Sequence, residues 1–102
     1  MVTGLLPIGT VVLLKESTKR VMIIGLLQQQ NTTNKIWDYA AVYYPEGYMG
    51  ADKTFLFNGD QIERVYALGY QDEEQFEFKE HADATYLKIR AEEQGVAPKT
   101  ED

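Results

Sequence analysis

His81 is the only histidine of the chain, and it stands in a run of carboxylates: Asp72, Glu73, Glu74, Glu77, Glu80 and Asp83. On a helix, Glu77 and His81 are four residues apart and share a face, a spacing that can hold a metal ion weakly. Such pairs arise by chance, and a lone histidine among charges reads first as a solvated surface residue. As a general base it would need an orienting partner. Asp38 is the second residue with chemical promise. It stands between Trp37 and Tyr39, and a carboxylate desolvated by rings becomes a better proton acceptor. The commoner fate of a buried carboxylate is a hydrogen bond from a nearby tyrosine or backbone N–H group. No second acid, nucleophile or oxyanion donor is identifiable from spacing. The chain has no cysteine, which excludes thiolate nucleophiles, zinc–thiolate sites and disulfides. It has no glycine-rich phosphate loop, no His-Glu-x-x-His and no Gly-x-Ser-x-Gly. The expectation is a protein that is not an enzyme and holds no metal or cofactor.

Recognition is the chemistry that remains. Residues 36–48 contain the single tryptophan and four of the seven tyrosines. Rings with polar tips suit a surface half buried against a partner. In an extended strand Trp37, Tyr39, Ala41 and Tyr43 share one face, while Ala40, Val42 and Tyr44 share the other. The Val42 face is the smoother candidate for a core. The aromatic face is either a second core layer beneath a helix or an exposed ring of anchors. If they are partly exposed, Trp37, Tyr39, Tyr43 and Tyr48 are the expected protein-binding residues. Glu73, Glu74, Glu77 and Glu80 would then tune the rate of association.

The net charge is −6 over 102 residues. Residues 1–51 hold four basic and three acidic side chains, and residues 52–102 hold six basic and thirteen acidic ones. Nucleic-acid binders need cationic surface to replace phosphate counterions, so nucleic acid is not an expected partner. An acidic chain can meet a basic one. No apolar run approaches the roughly 20 residues that span a bilayer, and the first residues lack the basic region of a signal peptide. A cytoplasmic address with no membrane contact is therefore expected.

The elements that must position these residues are short. Residues 10–15 and 20–28 read as two strands joined by a polar turn, with Gly25 marking a bulge or bend. Residues 28–34 are polar throughout and read as a solvated hairpin tip. Residues 36–44 form the third strand, and Pro45 with Gly47 fits a type I turn. Residues 53–57 form the fourth strand. Ile62 and Val65 are three apart, which predicts a helical turn over residues 60–64, and residues 66–70 form the last strand. Asp72 and Gln75 resemble a capping box that opens a helix over residues 72–94. That helix is expected to stop at Gly95 and is open to a break near Ala82. The fold class expected is β-rich α+β: a small SH3-like barrel of about five antiparallel strands with a C-terminal helix. Residues 1–95 would form one domain, and residues 96–102 a disordered tail.

A larger pattern runs through these elements. Leu6-Pro7-Ile8-Gly9-Thr10-Val11-Val12 is followed by Val21-Met22-Ile23-Ile24-Gly25, Trp37-Asp38-Tyr39 and Tyr44-Pro45-Glu46-Gly47. Then come Phe57-Asn58 with Asp60, Ile62 and Val65, and Gly69-Tyr70 before an acidic helix start. In order and spacing this resembles the Gram-positive family catalogued as domain of unknown function 4176, over residues 5–74. The resemblance implies an accessory protein of type VII secretion systems and their LXG toxins. It implies a small cytoplasmic adaptor or chaperone-like protein that binds a secreted toxin or a secretion component, without catalytic residues. An immunity-type protein that neutralises a toxin domain is the alternative, and a small-barrel nucleic-acid binder is a third reading.

Overall fold

Runs of β-branched and aliphatic residues between polar turns favour strands, and the computed structural model, which describes residues 4–93, contains five. They are β1 (Val11–Leu14), β2 (Val21–Gln29), β3 (Ile36–Tyr43), β4 (Thr54–Phe57) and β5 (Ile62–Ala67), followed by α1 (Glu73–Glu93). All pairings are antiparallel, and the order across the sheet is β4-β3-β2-β1-β5. Among the described residues no ladder joins β4 to β5. The sheet is open, with those two strands as its edges, and the architecture is β-rich α+β.

Register explains which face is core. Val12 pairs with Val21 and Val21 with Tyr43; Ile23 pairs with Ala41 and Ala41 with Phe55; Leu26 pairs with Tyr39 and Tyr39 with Phe57. These rows put Val12, Val21, Ile23, Tyr39, Ala41 and Phe57 into one buried cluster, closed by Leu5 and by Ala82 of the helix. The aromatic face of β3 is therefore the main core layer. Ala40 and Val42 are buried on the opposite face but stand outside that cluster. Both faces of β3 are thus buried, and the larger cluster forms on the aromatic one because Leu5 and the helix close over it.

Two elements differ from the sequence reading. β5 begins at Ile62 instead of residue 66, and the helical turn before it is a 3₁₀ turn of only Gly59–Gln61. The Tyr44–Pro45 peptide is cis. The reversal is closed by the Gly47 N–H donating to the Tyr43 carbonyl at 2.8 Å, one residue wider than the type I turn expected over residues 44–47. The helix is one unbroken element, and Ala82 lies buried in its middle. The bulge expected at Gly25 is present, as a register shift between Ile23 and Gly25. The polar segment is a hairpin tip, tied by Gln30 N–H to the Lys35 carbonyl at 2.7 Å. The Gly95 stop and the tail lie outside the described residues.

One glycine is fixed by close approach. A Cβ on Gly69 would lie 1.9 Å from the Ile8 carbonyl oxygen. The Gly69 N–H donates to Thr10 Oγ1 at 3.1 Å, and that hydroxyl donates to the Pro7 carbonyl at 2.7 Å. The clashing Ile8 carbonyl is backbone, so it cannot rotate away. Gly69→Ala should destabilise the fold by about 2–3 kcal/mol through overpacking. Gly47→Ala meets nothing within 4 Å and carries only the cost of its positive φ of 84°, about 1–2 kcal/mol. Urea titration of both variants checks the order; an equal loss would contradict it.

Candidate functional site

The residues singled out from sequence divide between interior and surface. Tyr39 is only 3% exposed. Its ring tilts against Phe57 at 5.5 Å between centroids, and its hydroxyl accepts the Leu6 N–H at 2.9 Å. Burial pushes its phenol up to about 12, against the lowering effect of the Leu6 hydrogen bond. It therefore falls on the core side of the condition attached to it. A phenol raised in the folded state contributes stability below its unfolded value near 10 and loses it as pH climbs through the folded value. Alkaline titration should show one late phenol near pH 12, with stability falling between pH 10 and 12. In Tyr39→Phe the late step should vanish. A late step that survives this change would contradict the assignment.

Tyr43 is half-buried and packs edge-to-face on Phe55 at 4.8 Å, with the Lys19 ammonium 6.0 Å from its ring centre. Trp37 is also half-buried. Its indole N–H donates to Gln30 Oε1 at 3.2 Å, and the Lys35 ammonium sits 3.9 Å from a ring centroid. Lys35, Trp37, Leu14, Phe57, Asp60 and Gln61 line part of an open depression of about 580 Å³. Tyr48 is different: it is 68% exposed. Of the four rings expected as anchors, Tyr48 is exposed, Trp37 and Tyr43 are half-buried, and Tyr39 is interior.

The helix presents its carboxylates as expected. Asp72 Oδ1 accepts the Gln75 N–H at 2.9 Å, so the cap is made. The return bond of a capping box is not: Gln75 Oε1 is buried without a partner among the described residues. Glu73, Glu74, Glu77, Glu80 and His81 are all exposed. Ala82 and Tyr86 face the sheet cluster, and Phe76, Phe78 and Leu87 remain exposed on the flanks of that contact. Few apolar side chains attach the helix, so polar contacts assist. Asp83 accepts the Leu5 N–H at 2.8 Å and pairs with Lys79.

Asp38 has the structural role that its burial favours. Its Oδ2 accepts the Gly59 N–H at 2.7 Å, and its backbone N–H donates to Asn58 Oδ1 at 3.0 Å. Arg90, near the end of α1, donates to both Asp38 and Asn58 and also pairs with Glu93. Burial opposes the guanidinium charge, but the bonds to Asp38 and Glu93 outweigh it and raise the Arg90 pKa above the ordinary arginine value. The backbone donor to Asp38 was foreseeable. Arg90 was not, because nothing local links positions 52 apart.

Sequence reasoning also passed over a second aromatic set. Val65, Tyr66, Leu68 and Tyr70 are exposed along β5 and the segment after it, Tyr70 by 80%. The strand-forming composition was visible; the fact that β5 ends the sheet was not.

An open antiparallel sheet closed on one face by a single helix defines a small β-rich α+β domain. The family model described as Domain of unknown function (DUF4176) matches residues 5–78, and the chain belongs to that family. The match reaches into the first turns of α1. No curated protein and no solved structure matches the chain. No helix among the described residues is long and apolar enough to cross a membrane.

Proposed function

We propose that this chain is a non-catalytic, cytoplasmic binding protein, an adaptor or chaperone-like partner for a secreted toxin of the type VII, LXG kind. One observation carries the binding part of this reading. Val65, Tyr66, Leu68, Tyr70, Phe76 and Phe78 are large apolar side chains left exposed within residues 65–78, on an edge strand, the segment after it and the helix start. Edge strands with exposed apolar side chains pair with other chains unless they are covered, and exposed clusters of this kind mark interaction surfaces. In this reading the fold is an open relative of the SH3-like barrel, which supports the same strand order with β1 between β2 and β5. The toxin connection rests on the family resemblance, and the binding surface rests on the exposed rings.

The test is expression of an LXG-type toxin with and without this chain. Export or solubility of the toxin that depends on the chain, without protection from killing, supports the adaptor. Protection by the chain in a cell that contains no secretion system would replace the adaptor with an immunity-type protein.

A further inference from the structure

The sheet face opposite the main core cluster carries two guanidinium groups with no carboxylate partner. Val12 and Val21 are paired and point into the core, so their neighbours Leu13 and Arg20 lie side by side on the other face. Leu13 pairs in turn with Arg64 of β5. The row continues to Tyr44, whose N–H donates to the Arg20 carbonyl at 3.0 Å. The Arg20 guanidinium lies 5.3 Å from the ring centroids of both Tyr44 and Tyr66, and that of Arg64 lies 4.8 Å from Tyr66. All four side chains are exposed. Among the described residues neither arginine makes an ion pair, whereas Arg90 is paired twice.

This arrangement suits capture of anions. Stacking on a tyrosine face holds a guanidinium plane in place and leaves its N–H edge free for a two-pronged bond to a carboxylate. The adjoining edge of β5 adds backbone groups, because among the described residues β5 is paired only with β1. An extended segment can join such an edge as a further strand. Two guanidinium groups flanking one ring match two carboxylates. A nucleic acid carries a charge at every nucleotide and calls for a longer cationic track, which a chain of net charge −6 does not offer here.

We infer that the Tyr44–Arg20–Tyr66–Arg64 row and the free edge of β5 form a docking surface for an extended acidic segment of a protein partner. The inference rests on the reading of the chain as a binding protein and specifies the chemistry of what it binds.

The probe is hexaglutamate, titrated into the full ¹⁵N-labelled chain, with a twelve-residue oligodeoxythymidine in parallel. The Nε–H signals of Arg20 and Arg64 should shift saturably with hexaglutamate. The double variant Arg20→Gln/Arg64→Gln should bind it at least about tenfold more weakly, the scale expected when charge-assisted bonds are lost, with an unchanged melting temperature. Unmoved arginine signals, or equal binding by the double variant, would overturn the inference. So would tighter binding of the oligonucleotide at the same arginines. Loss of this surface while a toxin complex still forms would leave the adaptor reading standing. Hexaglutamate binding without any toxin complex would do the reverse.

Discussion

Asp38→Ala is expected to lower the unfolding free energy by about 2–4 kcal/mol, because it removes a buried charge partner and a backbone acceptor together. The Asp38 side chain is 6% exposed and that of Arg90 19%. The substitution strands the Gly59 N–H and leaves the Arg90 guanidinium with Asn58 and Glu93 alone. Breaking a fully buried pair costs about 3–5 kcal/mol; partial exposure and the remaining acceptors place this one lower. The melting temperature should drop by on the order of 15 °C. The loss should be shared with Arg90: in a double-mutant cycle with Arg90→Met, the two changes should be coupled by about 1–3 kcal/mol. Additive losses would mean that the end of the helix is not held by this contact.

Tyr39→Ala is expected to cost about 3–5 kcal/mol through the cavity it leaves, with a further loss from the unpaired Leu6 N–H. Tyr48→Ala should leave the melting temperature within about 2–4 °C, since exposed positions rarely contribute more than about 0.5 kcal/mol. It should weaken a partner complex by about 1–3 kcal/mol if Tyr48 is an anchor. Measuring both quantities on both variants separates core from interface. A stable Tyr39→Ala protein would contradict the core assignment. A Tyr48→Ala complex of full strength would remove Tyr48 from the anchor set and leave the β5 rings as the candidates.

What the sequence disclosed follows the range of the forces involved. The Asp72 cap on Gln75 was legible because the accepting side chain and the backbone N–H donor are three residues apart. The Gly25 bulge was legible because glycine interrupts an otherwise apolar strand. β5 was misread for an instructive reason. Ile62 and Val65 are three apart, which is helical spacing, yet they pair with Leu14 and Val12, which are two apart. A register shift between those pairs absorbs the extra residue, and a bulged strand then mimics one helical turn. Phe76, Phe78, Tyr86, Leu87 and Ile89 make no regular helical stripe in the sequence, and the cause is similar. Ala82 and Tyr86 supply a narrow contact, while Asp83 and Arg90 tie α1 to Leu5 and Asp38 through polar bonds. Hydrophobic periodicity registers only the first kind of attachment. The choice between the two faces of β3 depended on where the helix lies, and no residue near Tyr39 or Val42 records that.

The central claim is that this chain functions by binding a protein. Its most direct test is co-purification of the chain with a toxin of the LXG kind, the partner proposed above, followed by size-exclusion chromatography with Tyr66→Ala/Tyr70→Ala as the comparison. Tyr66 and Tyr70 are exposed on β5 and the segment that follows it, so the variant should fold as the original does. The account predicts one co-eluting complex for the original chain and separate peaks for the variant. Separate peaks for the original chain, with both proteins folded, would contradict it.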